Sequence, residues 1–372
     1  MLRKKNLILF IVFCFFFSII FAKNIENEHH NGKAETHHVE VKFEPGKAII
    51  NHILDAHDWH ICDWGEQHIS IPLPVILIYE GKFYCFMSSK FEHGHAHYKN
   101  FALTEEGKIV HYEADGNISD STVWDFSLTK NALAILLSVV IIAVVFISVA
   151  KSSRKTGNNK APKGLQNLIE PVITYIRDEI AGKFIQKDKI NLFLPYLVTL
   201  FFFILTNNLM GLIPIFPGGA NVTGNIAITL CLALFTYIVV TIHGTKEYWK
   251  HIFNTPGVPW FLKIPIPILP IVEFIGTLTK PVVLMIRLFA NITAGHIIVL
   301  GFIFLIFILG NLAPVAGYSV APVSVAFALF ISVLELLVAF VQAYIFTTLS
   351  SLYIGSAVAK HHHHKEKKLT SN

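Results

Sequence analysis

Residues 280–310 read KPVVLMIRLFANITAGHIIVLGFIFLIFILG, a run that is apolar almost throughout yet carries Lys280, Arg287, Asn291 and His296. Its length exceeds the ~20 residues that cross a hydrocarbon core of about 30 Å. An arginine inside a spanning helix costs about 2.5–3.5 kcal/mol on insertion scales, so a chain that keeps one has a use for it. The guanidinium stays protonated at any accessible pH and sets a permanent positive charge where the dielectric is low. Glu273, Lys280 and Arg287 are spaced by seven residues and share nearly one helix face, which Asn291 extends by a turn. His296, nine positions after Arg287, falls about 180° around a continuous helix. Arg287 and His296 are thereby fitted to serve different compartments.

Working outward, the chain has 372 residues, 53% hydrophobic and only 15% charged, with a mean hydropathy of +0.55. That is too apolar for an ordinary soluble domain and points to an integral membrane protein. The net charge of +5 comes partly from short basic clusters beside apolar runs. It suits orientation in a membrane rather than nucleic-acid binding, for which no basic patch is present. A first span is expected at about 129–150, and KSSRKTGNNKAPK after it marks the cytoplasmic side. Residues 165–187 mix apolar positions with Glu170, Arg177, Asp178 and Glu179, as a helix lying on the membrane surface does. Further spans are expected at about 191–213 and 225–243, the latter ending in a basic loop, GTKEYWKH. Apolar sequence from about 264 to 310 is followed by a turn-rich break, NLAPVAGYSVAP, and a last long span to about 358. That span carries Glu335 and Gln342 seven apart, with Tyr353 eleven beyond, a second polar stripe on one face.

The N-terminal part is of another kind. Residues 1–22 run from Arg3, Lys4 and Lys5 through an apolar stretch to Ala22, the layout of a secretory signal peptide. Cleavage after Ala22 and retention as an anchor are both open, since Ile20 stands where a small residue is preferred. The chain beyond Ala22 is exported in either case. Residues 23–125 form a polar, turn-rich extracytoplasmic region in which ISIPLPVILIYE and KFYCFMSS, joined at Glu80-Gly81, read as a β-hairpin. This region holds twelve of the nineteen histidines. His93, His95 and His97 alternate and could share a metal ion from one strand face; a solvated His-rich surface is the plainer reading. Among the four cysteines only Cys62 and Cys85 could form a disulfide, which the compartment permits. The tail 361–372, HHHHKEKKLTSN, is read as native, basic and cytoplasmic.

These features give an all-α polytopic membrane protein of about five membrane-embedded helices plus an amphipathic surface helix. Two long tilted C-terminal helices and a small β-rich N-terminal region complete it. Its divisions are 1–22, 23–125, a membrane domain at 126–360 and the tail. Two polar stripes, one with a fixed cation, imply an ion or proton pathway. A secondary transporter or ion channel is the alternative, though no internal repeat is visible. A metal transporter would want more than the lone His296 in the spans, and no HExxH, GxSxG or paired-aspartate arrangement marks an intramembrane enzyme.

KPVVLMIRLFANITAGH (280–296) closely resembles the RLFxNxxAGH/E signature of subunit a of F-type ATP synthases. NNLMGLIP (207–214), VEFIGTLTKP (272–281) and LELLVAFVQAYIFTTLSSLYI (334–354) follow the same family in order, and the likeness covers roughly 125–360. The resemblance implies proton translocation by a non-catalytic subunit of the bacterial inner membrane, without a cofactor, against a ring of c subunits and beside peripheral-stalk b subunits. It implies that Arg287 faces the ring's carboxylate with Gln342 as its polar neighbour. Asn291, Glu273 and Asn208 would line two aqueous half-channels, and His296 with Glu335 would form a coupled pair. Lys280 and Tyr353 join the pathway through their stripes. It assigns no role to the signal-like start or to residues 23–125, whose histidines we expect to gather protons near the inlet.

Overall fold

The alternation of PVILIY and KFYCFM builds the hairpin that anchors the N-terminal region in the computed structural model. It describes residue 46 and residues 55–359, apart from 65–66, 95, 105–106, 114–116, 120, 157–160, 162, 214–215 and 254–267. The signal-like start, His95, the side chains of Cys62 and His93, and the tail from 360 lie outside the described residues. Strands β1 (Asp58–Trp64) and β2 (Gln67–Pro72) pair antiparallel. Strand β3 (Pro74–Tyr79) lies between β4 (Lys82–Met87) and β7 (Trp124–Asp125). Strands β5 (Phe101–Leu103) and β6 (Ile109–His111) form a third small sheet. The turn between β3 and β4 has positive φ at both Glu80 (49°) and Gly81 (74°), the primed geometry that matches strand twist. Val75, Leu77 and Tyr79 point inward onto Phe91, Phe101 and Ile109.

Two details differ from the sequence reading of this region, and a third answers a question it left open. ISIP belongs to β2 and not to the hairpin, because Leu73 leaves the ladder and its N–H donates to Ser88 Oγ at 3.0 Å. Ser88–Gly94 is a 3₁₀ helix, so His93 and His97 do not alternate along a strand. Cys85 is a free, exposed thiol. The described histidines are tied into packing: His57 Nε2 pairs with Asp125 Oδ2 at 2.8 Å, His111 stacks on Tyr79 at 4.2 Å, and His97 lies 5.0 Å from the Tyr112 ring.

Among the described residues five helices are long and apolar enough to cross a membrane. They are α1 (Lys130–Thr156), α3 (Ile190–Leu212), α4 (Ile226–His243), α6 (Ile268–Leu312) and α7 (Pro314–Val358). The expected surface helix is α2 (Leu165–Tyr175), continued by a π turn at Ile176–Ala181 and a short helical piece, Gly182–Phe184. The basic loop GTKEYWKH is mostly helical instead, α5 (Lys246–Phe253): Thr245 Oγ1 accepts from Tyr248 N at 3.3 Å and so caps its first turn. The expected break at 311–322 shrinks to Ala313. Pro314 opens α7, where a missing N–H costs nothing, and Gly310 and Gly317 let the two backbones meet: a Cβ on Gly317 would lie 2.7 Å from Gly310 Cα. Phe302 and Phe327 stack at 5.4 Å farther along this hairpin. At 45 residues each, α6 and α7 are about 68 Å long, so an unbroken helix must tilt to stay within about 30 Å of hydrocarbon.

The chain divides into two compact units. The first is Met1–Phe146, Phe203–Cys231 and Leu288–Gln342, and the second is Ile147–Phe202, Leu232–Arg287 and Ala343–Asn372. In the first, the β region is fastened to the head of α1. Phe126 N and Leu128 N continue the β7 ladder by donating to Ile76 O and Pro74 O at 2.8 and 3.1 Å. Asp55 Oδ1 accepts from Asn131 N at 3.0 Å, a helix cap supplied from 76 residues away. Burial pushes the Asp55 carboxyl up, against the pull of its bonds to Asn131, Thr129 and Ala56. In the second unit, the end of α7 is held by Lys189 Nζ on Val358 O at 2.9 Å and by Thr245 N on Ala357 O at 3.0 Å. Gly355 lies against the Phe184 carbonyl with no room for a side chain.

Candidate functional site

In the first unit α6 and α7 bring His296 and Glu335 together. Nδ1 of His296 lies 3.5 Å from Oε1 of Glu335, with side chains 19% and 5% exposed. This is ion-pair range, beyond an ordinary hydrogen bond. The approach depends on Gly295, because a Cβ there would stand 2.6 Å from Glu335 Oε1. Gly211 of α3 closes the other side, where a Cβ would meet His296 Nε2 at 3.7 Å and Ala220 O at 3.4 Å.

Asn208, expected to line a channel, is buried and used at both ends. Its Nδ2 donates to Ala339 O at 3.0 Å, one turn beyond Glu335, and its Oδ1 accepts from Thr223 Oγ1 at 2.6 Å. Several buried polar atoms of this unit have no hydrogen-bond partner among the described residues, Glu335 Oε1, Asn207 Oδ1, Asn221 Nδ2 and Ser324 Oγ among them. Orphaned groups of this kind are normally satisfied by water, and they suit a hydrated path. Asn291 is exposed on α6, and Gln342 is buried on α7.

The second unit holds Glu273, Lys280, Arg287 and Tyr353. Lys280 Nζ sits 5.3 Å over the Tyr353 ring, and both face a cavity of about 10 Å³ shared with Thr236, Tyr237, Tyr248 and Thr277, room for one water. Thr277 Oγ1 is anchored to Glu273 O at 3.0 Å. Arg287 is exposed on a stretch of α6 whose neighbours Val282, Val283 and Ile286 are exposed as well. Among the described residues no carboxylate pairs with it. A guanidinium on an apolar helix surface calls for an anionic partner beyond the described residues.

The structure thus joins His296 to Glu335 and Lys280 to Tyr353, and it turns Asn208 into a strut. The sequence reading missed Gly295, Gly211 and Thr223 as parts of the site. A glycine within an apolar helical run, as in AGH, is the one signal that could have pointed to close packing. Among the described residues no cluster of three metal-ligating side chains occurs.

Residues 132–355 match the family described as ATP synthase A chain, and residues 48–126 match a family described as a domain of unknown function. Subunit a of ATP synthase from Chloroherpeton thalassium is 43% identical over 249 residues, 65% of this chain and 70% of that protein. ATP synthase subunit a 2 from Chlorobaculum tepidum is 43% identical over 322 residues, covering 85% and 74%. The Myxococcus xanthus subunit a is 40% identical over 272 residues, covering 71% and 82%. With a match over most of its membrane helices, and with a buried acid–histidine pair and an exposed arginine on them, the chain belongs to the ATP synthase A chain family, that of subunit a.

Proposed function

We infer that this chain carries protons through the membrane sector of an F-type ATP synthase, meeting a rotating ring of c subunits and braced by peripheral-stalk b subunits. The observation that carries the reading is Arg287, a fixed cation exposed on an apolar helix surface. At 4 Å and an effective dielectric near 20, its attraction for a ring carboxylate is about 4 kcal/mol. By the same scale that is about three pH units of preference for the ionised form. A carboxylate arriving protonated therefore gives up its proton near Arg287, and a proton hopping past the cation is repelled.

His296 and Glu335 hold and pass the proton along one path, and Glu273, Lys280 and Tyr353 serve another, with Asn291 continuing the stripe of Arg287 and Gln342 matching the family's polar residue on the last helix. Two paths that do not meet force the proton to ride the ring. The membrane potential supplies about 2.3 kcal/mol per charge per 100 mV. The basic segments after α1 and α4 support a bacterial inner membrane placement with the β region outside and the C-terminus in the cytoplasm. The test is Arg287→Ala in inverted membrane vesicles carrying the assembled complex. ATP-driven proton pumping should be lost, and pumping at the wild-type rate would refute the reading.

A further inference from the structure

Besides its bonds to the head of α1, the region that matches a family of unknown function packs on the loop between α3 and α4 of its own unit. Trp59 of β1 is buried with Ala134 of α1 and with Ala220 and Val222 of the loop between α3 and α4. Its ring meets Phe216 of the same loop edge-on at 5.2 Å. The loop then reaches the acid–histidine pair by two routes. Thr223 Oγ1 holds Asn208, and Asn208 holds the Ala339 carbonyl, one turn past Glu335. Ala220 O packs against Gly211, which packs against the His296 ring. Asn208 and Gly211 are three apart on α3 and share a face.

We propose that the extracytoplasmic β region is a positioning element for proton uptake, in which Trp59 presses the 216–225 loop into the shape that sets the distance between His296 and Glu335. The inference rests on reading that pair as a proton carrier. The pair stands at 3.5 Å, just outside hydrogen-bond range, so a small displacement decides whether its members act together. Among the described residues the titrating side chains of this contact are His296 and Glu335. Against them α3 sets Gly211, α6 sets Gly295, and the loop acts through Ala220 and Thr223. Trp59 touches neither titrating group. It is a positioning residue that works through the loop.

The experiment uses the assembled complex in inverted vesicles. ATP synthesis is driven by an imposed gradient while the pH on the extracytoplasmic side is varied. Trp59→Ala should lower proton-driven synthesis about tenfold, as misplacement of reacting groups does. It should also displace the pH profile in the same direction as His296→Gln. Trp59→Phe, which keeps a ring in the contact, should restore both. The two substitutions combined should cost less than the sum of their separate effects, because they act on one pair. An unchanged rate and profile in Trp59→Ala, with His296→Gln altered, overturns the inference alone. An unaltered His296→Gln overturns the reading of the pair and the inference with it. Should Trp59→Ala fail to accumulate in the membrane, Val222→Ala removes the loop side of the same contact and is judged by the same criteria.

Discussion

The β region buries apolar side chains, whereas the helices bury polar side chains beside apolar ones and turn many large apolar ones outward. Around β3 the buried side chains are Val75, Leu77, Tyr79, Phe91 and Phe101, while Lys82, Glu92, Lys99 and Asn100 face out. Along α7 polar residues share the interior with Ala339, Ala343, Phe346 and Ile354: Ser324, Glu335, Gln342, Thr347, Ser350 and Ser351 are buried, while Leu329, Val333, Leu336 and Leu337 are exposed. Water drives apolar groups inward in the first case. Lipid offers no such drive in the second, where small residues and polar contacts hold the helices together. The difference fits a β region built for water and helices built for lipid.

The comparison predicts unequal costs for changes of similar size. The largest is expected for Phe101→Ala, which removes a fully buried ring and should cost about 3–5 kcal/mol. Hydrogen exchange on the intact complex would read it as lost protection over residues 74–87, with the membrane helices unchanged. Next is Val144→Lys on α1, 61% exposed. A lysine at the middle of a span costs about 2.5–3.5 kcal/mol on insertion scales, and the chain should be depleted from the membrane fraction. A tolerated lysine would mean that this face of α1 meets water.

A smaller effect is expected for Asp125→Asn, and it depends on pH. Burial would raise the Asp125 carboxyl, but the hydrogen bond and charge of His57, with Ser127, outweigh it and hold it below the usual carboxylate range. A group whose acidity is increased by folding stabilises above its unfolded pKa, about 3.9, and that contribution fades as the pH falls through the lower folded value. Protection of the β3–β7 amides should therefore differ between Asp125→Asn and wild type at neutral pH and converge below about pH 4. The smallest effect belongs to Phe83→Lys, as exposed at 66% as Val144 but facing water. It should change stability by no more than about 0.5 kcal/mol, read by the same exchange measurement. A large loss there would mean that a partner covers β4.

The spans and the β3–β4 hairpin were legible because each rests on a local pattern, a long apolar run or a period of two ending in Glu80-Gly81. Arg287, His296 and Glu335 were legible because charge inside apolar sequence is rare. The misreadings came from residues with two meanings. Pro314, Gly310 and Gly317 look like a loop but serve a helix start and a backbone crossing. The charges of Lys246, Glu247 and Lys250 hid α5. Trp59, Thr223 and Asn208 could not be placed by spacing at all. They act through contacts between residues far apart in the chain, such as Asn208 and Ala339, separated by 131 positions.

The corner at Ala313 gives the two long helices a common zero. His296 lies 17 residues before it and Glu335 lies 22 after, with no slack between. One residue inserted in either arm would carry its member about 100° around and about 1.5 Å along the axis. Between positions 296 and 335 the chain is therefore a ruler as well as a path: its letters can be exchanged, but its length cannot.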